Sequence, residues 1–366
     1  MQNGASMAGY LKDASLLEDI ACEESNEFSI HGKLMILLAL FVLLVLTSSA
    51  AVVFGAYKIS ITDVYSIILS HLLHLSEAQN MDSLKDIIVW DLRLPRVLLA
   101  ITVGFALAAA GATFQGCFRN PLVEPYILGI SSGAAFGAAM GIVFHQFFFS
   151  VQAAAFIFGS LAVIMAYGIA RVNKETPTVT LILAGVILGS LFSAAVSILK
   201  YISNDSALRE IVFWLMGGFY FASWSDVALV TPVVMLSFLA MWSLGWKLNI
   251  LSMGDDEARG LGVNPEKYKL ILIGLATLMT SIAVSTVGII AWVGLMMPHA
   301  TRMILGPDHR FVIPASAMLG GSYLLICDTM ARTLTSSEIP VGIITSLLGA
   351  PYLVYLLRTR GKSVFE

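Results

Sequence analysis

Apolar residues run through this chain in long blocks, separated by short polar connections, from about residue 34 to residue 357. Blocks at 34–55, 97–116, 126–144, 151–170, 178–199, 227–245, 270–293, 311–331 and 340–357 have lengths suited to helices in a ~30 Å hydrocarbon layer, at ~1.5 Å per residue. A shorter block, 295–305, does not reach across at full thickness. It reads as a reentrant or stub helix with Gly294 and Pro298 at its start. A moderately apolar helix is expected near 64–75. Another is expected to lie at a surface within 200–225, where Asp205, Arg209 and Glu210 precede the aromatic run FWLMGGFYFASW. Pro177 opens the block after it at a first-turn position, where its missing N–H costs nothing.

The stretch 92–137 organises the pattern. Arg93 and Arg96 bracket a proline, and an apolar run carries small residues at Gly104, Ala108 and Gly111. A polar corner follows at Arg119, Asn120 and Pro121, and then a second glycine-rich run. Small residues let helices approach closely in lipid. Gly129, Gly133, Gly137 and Gly141 keep an i, i+4 spacing that makes one smooth face. Such a face serves tight packing inside one subunit or a helix that slides during a transport cycle.

Composition excludes a soluble class. The chain is 58 % apolar and only 12 % charged, against about 25 % charged in a typical soluble domain. The expectation is an all-α integral membrane protein. Its ten apolar elements put both termini on one side. Lysine and arginine favour the N-terminal side, from Lys33, Arg119, Arg171 and Lys174 through Lys247 and Lys269 to Arg358, so both ends are expected in the cytosol. Residues 1–33 are mixed and acidic, and the block 34–55 is expected to act as its own insertion signal. The net charge of -3 carries no basic patch for nucleic acid.

Candidate chemistry is sparse. Cys22, Cys117 and Cys327 are too scattered for a ligand cluster or a disulfide framework. No glycine-rich loop ending in Gly-Lys-Ser/Thr, no HExxH and no CxxC is present. His71 and His74, three apart, are either surface residues or half of a metal or haem site. Asp328 lies four residues before Arg332, spaced for an i, i+4 ion pair rather than a proton relay. In the connection LSMGDDEARGLGVNP (251–265), Ser252 is expected to cap a short helix holding Asp255, Asp256 and Glu257. Gly260 or Gly262 would end that helix, and a second would start near Pro265. The corner is a docking knob for a soluble partner or simply a well-capped loop.

Taken together, RLPR (93–96), NPLVEPYILGISSGAAFG (120–137), LILAGVILG (181–189), GDDEARGLGV (254–263), GLMMPHATR (294–302) and EIPVGIITSLLGAPYLVYLL (338–357) resemble the permease subunits of type II ABC importers. That family takes up vitamin B12, ferric siderophores and haem. The resemblance covers nearly everything after residue 34. It implies about ten transmembrane helices and a homodimer with the translocation path on its two-fold axis. It also implies two cytosolic ATPase subunits that bind ATP and Mg, an external substrate-binding protein, and a multi-pass location in a prokaryotic cell membrane. No cofactor is implied in this chain, and no catalysis.

The organisation it implies is an extension at 1–33, one permease domain at 34–358 with a coupling region at 247–269, and a tail at 359–366. Arg93, Arg96 and Arg332 match family arginines that meet acids of the binding protein. Asn120, Leu122, Thr178 and Ile182 match a cytosolic gate. Ser252, Gly254, Asp255, Asp256, Glu257, Ala258, Arg259, Gly260, Leu261 and Gly262 match the element seated on the ATPase. The expected cargo is a metal chelate, with ferric siderophore first by family frequency and cobalamin or haem as alternatives. The rivals are an ion-coupled secondary transporter, which needs a coupling-ion site in broken helices, and a membrane scaffold.

Overall fold

The computed structural model describes residues 29–55, 57–73, 83–146, 150–171, 175–335 and 337–365. Most of the 1–33 extension, His74 and Lys174 lie outside the described residues. In chain order the helices are α1 (Ile30–Val53), α2 (Ile61–Leu72), α3 (Leu94–Phe118), α4 (Ile130–Val143), α5 (Val151–Ala170), α6 (Thr178–Ile202) and α7 (Asp205–Met216). They continue with α8 (Trp224–Ser243), α9 (Gly245–Met253), α10 (Asp255–Gly260), α11 (Pro265–Val287), α12 (Val293–Leu305), α13 (His309–Thr333) and α14 (Val341–Phe365). Side-chain caps start many of them. Ser60, Ser150, Asn204, Ser223 and Asn264 each accept from a backbone N–H of the first turn, which answers one of the orphan donors there.

Seven helices among the described residues are long and apolar enough to cross a membrane. These are α1, α5, α6, α8, α11, α13 and the continuous helix Leu84–Phe118, which contains α3 and the wide π-helical turns Ile87–Arg93 before it. The connection expected to last to residue 96 is therefore already helical from Leu84. The block expected as one span at 126–144 is divided instead. A 3-10 turn, Pro125–Leu128, ends at Gly129, whose φ of +83° is left-handed and breaks the helix. Only the 14 residues of α4 follow, about 21 Å of rise.

The core is built on α3. From Pro95 to Phe118 nearly every residue is buried, small and large alike. The small ones set the packing distance. A Cβ at Gly104 would run into the Gly320 carbonyl and stand 2.8 Å from Leu324 Cβ on α13. A Cβ at Gly111 would strike the backbone of Gly294, at the start of α12. Backbone therefore meets backbone at both places, the close approach small residues allow in a membrane. The glycine face of α4 is filled in the same way. Gly133 faces the Phe158 carbonyl and Gly137 the Ala154 carbonyl, both on α5, so this face is spent on packing inside the subunit.

Helices α3 and α13 run antiparallel. Arg96 and Asp328 meet at one end, and Gly116 faces His309 at the other. Between α11 and α12 the backbone unwinds over residues 288–292. Such backbone survives at membrane depth only when protein satisfies it. Here Tyr126 Oη donates to the Ile290 carbonyl at 2.8 Å, and the Glu124 carboxylate accepts from Trp292 N at 2.8 Å. Trp292 itself holds a left-handed φ of 76°, a strained conformation for a residue with a side chain.

Candidate functional site

At the N-terminal end of α3 the three sequence-matched arginines come together. Arg93, Arg96 and Arg332 line one cavity of about 370 Å³ with Tyr57, Tyr220 and Glu338. All three are buried. The reason is that their own chain supplies their acceptors. Arg93 Nη1 donates to the Val52 and Val53 carbonyls at 3.0 and 2.9 Å, and its Nη2 donates to the Tyr57 carbonyl. Arg332 Nη2 donates to the Ala51 carbonyl at 2.9 Å, and its Nε lies 3.2 Å from Asp328 Oδ2.

Arg96 divides its guanidinium. Its inner edge grips Asp328, with Nε to Oδ1 at 3.0 Å and Nη2 to Oδ1 at 2.9 Å. Its outer nitrogen, Nη1, holds both oxygens of Glu338, at 3.1 and 2.9 Å. The Asp328 side chain is 0 % exposed and that of Glu338 41 %. A buried ion pair is sound only when its remaining hydrogen-bonding capacity is met, as this fork meets it. Tyr220 Oη is buried without a hydrogen-bond partner. Burial, then the nearby Glu338, push its hydroxyl above the usual tyrosine range.

Around the pocket neighbouring elements brace each other. Lys85 Nζ donates to Asp63 Oδ2 at 2.9 Å, and Trp224 Nε1 donates to the Trp90 carbonyl at 3.1 Å. His71 bonds Asp86 at 2.8 Å and stacks on Trp90 with ring centroids 4.1 Å apart. It is a structural histidine; His74 falls outside the described residues.

At the other end of α3 lies the 247–269 corner. Residues 245–253 are themselves helical, as α9, and this corrects the role given to Ser252. Its hydroxyl donates to the Leu248 carbonyl at 2.8 Å and caps nothing. The break falls instead at Gly254, the N-cap position of α10, with φ +154°. Asp255, Asp256 and Glu257 do fill the first turn of α10, where acids suit the helix dipole. Gly260 is helical, and Gly262, at φ +76°, closes the corner while Val263 N bonds the Ala258 carbonyl at 2.8 Å.

Ala258 and Val263 are buried anchors. Buried Lys269 ties Asp255 at 2.7 Å. Met253 and Leu261 stand exposed at 64 % and 58 %, beside Asp256 and Arg259. Exposed apolar residues among charged ones are suited to receive another protein. The corner is joined to α3 directly, since Leu248 packs at Gly116. The two sites are therefore separated by the stretch from Arg96 to Gly116, about 30 Å of helix.

The gate candidates fall on two neighbouring elements. Asn120 and Leu122 form a turn after Arg119, with Leu122 N donating to Asn120 Oδ1 at 2.9 Å. Thr178 and Ile182 lie on the first turns of α6. The 3-10 turn that follows Leu122 packs on α6 at Gly185. Beneath this turn is a polar staple that sequence reasoning gave no role. Gln115 Nε2 donates to the Val123 carbonyl at 3.1 Å and the Leu295 carbonyl at 3.3 Å, while its Oε1 accepts from Arg302. An arginine inside an apolar block demands such a partner, and that demand was the available signal. Glu338, the first residue of the 338–357 segment, shows no such signal in the sequence.

Residues 40–359 match the model of the FecCD transport family. The chain is 43 % identical over 275 residues to the cobalamin import system permease BtuC of Halobacterium salinarum, covering 75 % of this chain and 74 % of that one. It is 37 % identical over 334 residues to the molybdate import system permease MolB of Haemophilus influenzae, covering 90 % and 97 %. Further relatives are named as haemin, iron chelatin and ferric citrate permeases. A metal-chelate type ABC transporter solved in an inward-facing conformation superposes with a TM-score of 0.79 at 35 % identity, over 88 % of this chain and 99 % of that one. Permeases of this family form pairs, receive substrate from a binding partner, and leave ATP and Mg to separate ATPase subunits. The chain belongs to the FecCD transport family, as the non-catalytic, multi-pass permease subunit of a prokaryotic inner-membrane ABC importer of the metal-chelate type.

Proposed function

We propose that the arginine pocket receives an acidic side chain of the substrate-binding partner, and that the α9–α10 corner seats the ATPase. The observation that carries this reading is their placement at opposite ends of the buried α3. The arginine end then faces outward and the corner faces the cytosol. Helix α1 begins beside Asn249 and Asp308 at the corner end, and α14 begins next to Glu338 and runs away from the pocket. Both termini are cytosolic on this reading. Residues 34–358 act as one permease unit, and ten crossings result when α4, α12 and α14 are added to the seven long helices. Asn120, Leu122, Thr178 and Ile182 close the cytosolic mouth.

The cargo is a tetrapyrrole-type metal chelate, cobalamin first and haem second. This replaces the siderophore expected from family frequency. The support is the higher identity to a cobalamin permease and to a haemin permease of Yersinia pestis, at 43 % and 41 %. Delivery by a binding partner removes the need for a tight site here, so the path releases a bulky chelate rather than holding it. ATP binding closes the ATPase pair, moves the two corners, and switches access by rigid-body helix motion. Uptake in proteoliposomes with the neighbouring ATPase and binding protein tests the cargo. ATP-dependent accumulation of labelled cobalamin or haem is expected; accumulation of ferric siderophore alone would overturn the choice.

A further inference from the structure

We propose that Glu338 is an internal stand-in for the partner's carboxylate: it occupies Arg96 while the pocket is empty and yields it when the partner docks. The inference rests on the docking reading above and adds to it an exchange.

The argument starts from how Arg96 spends its donors. Its inner edge is sealed by Asp328, which is fully buried and gripped from both Nε and Nη2. Its outward nitrogen, Nη1, is already taken by Glu338. A carboxylate arriving from outside reaches Nη1 of Arg96 only by replacing Glu338. The two acids differ in how they are held. Asp328 has two-nitrogen, desolvated contacts, the strong kind. Glu338 hangs on one nitrogen with its side chain 41 % exposed, the kind of pair worth little in solution. The cavity beside it accepts a side chain, at about 370 Å³.

Charge supports a one-for-one exchange. Arg93, Arg96 and Arg332 face Asp328 and Glu338 in the pocket, leaving one positive charge in excess. Substituting one carboxylate for the other leaves that excess unchanged, so docking buries no new net charge. Tyr220 Oη, buried and unpartnered on the same cavity, supplies a donor for the arriving acid. Glu338 also stands just before α14, and Ile339 N is tied to the Ala331 carbonyl at 3.2 Å. The yielding motion is therefore a side-chain swing about a fixed backbone.

The test is the affinity and salt dependence of docking of the importer's own substrate-binding protein to the permease–ATPase complex in nanodiscs. Glu338→Gln removes the competitor. It should tighten docking about three- to tenfold. It should also steepen the salt dependence, because docking then forms an ion pair instead of exchanging one. Arg96→Lys keeps the charge beside Asp328 but loses the outward nitrogen, and should weaken docking. Unchanged or weaker docking of Glu338→Gln, with Arg96→Lys weakened, would overturn the exchange and leave the docking site standing. Unchanged docking of Arg96→Lys would overturn the docking reading and the exchange with it. A purely structural Glu338 predicts no tightening, and the elution profile of each complex reports folding separately.

Discussion

Asp328 shows how much one residue carries here. It is fully buried and accepts from Arg96 while lying against Arg332. Replacing it with alanine leaves two buried guanidinium groups without their shared acid, which costs on the order of 3–5 kcal/mol. Thermal unfolding of purified Asp328→Ala permease should fall well below wild type, and an unchanged midpoint would contradict the pairing. Asp308, the N-cap of α13, makes a pH prediction. Burial acts to raise its carboxyl, but the Arg310 guanidinium and the Asn249 amide outweigh this and hold it down to about 2. A folded pKa below the ordinary value of 3.8 stabilises the fold above that value. The contribution is lost as pH falls from about 4 toward 2. An Asp308→Asn variant should lose less stability than wild type between those pH values, as read by acid titration of tryptophan fluorescence.

At the scale of elements, legibility in the sequence followed how local the cause was. Helix α5 runs from Val151 to Ala170 as its apolar block reads, because Ser150 caps it and Arg171 ends it within the same few residues. The division at Gly129 was hidden, since a glycine-rich block looks continuous until one φ is left-handed. At Ser252 a serine before an acidic run suits a cap, while Gly254 makes the actual break. The Asp328–Arg332 pair was visible at i, i+4. The bond from Arg96 was not, being 232 residues away in the chain. Two substitutions test the elements. Gly104→Val should block the approach of α3 to α13, where backbone has no room to yield, costing about 1–3 kcal/mol or preventing assembly. The yield of monodisperse permease checks this. Leu261→Glu, on an exposed site of the corner, should leave the permease folded and reduce ATPase co-purification several-fold, as exposed apolar anchors at interfaces do. Full co-purification would remove the corner from the ATPase contact.

Over the whole molecule, the proposed function places two sites for opposite partners at the two ends of one rigid connection. Helices α3 and α13 carry both ends: Arg96 and Asp328 at the pocket, Gly116 and His309 at the corner. Coupling then needs a rigid element that both partners bias, and helices packed backbone to backbone at Gly104 and Gly320 supply one. Family membership favours an ATP-driven machine over the ion-coupled rival, and the pocket and corner argue against an inert scaffold. The most direct test is ATP hydrolysis by the reconstituted complex with and without the binding protein, in wild type and in Arg96→Lys. The account predicts that the wild-type ratio of stimulated to unstimulated hydrolysis is clearly above one and that Arg96→Lys drives it toward one. Wild-type stimulation in Arg96→Lys would contradict the claim that the arginine pocket is where the outer partner is felt.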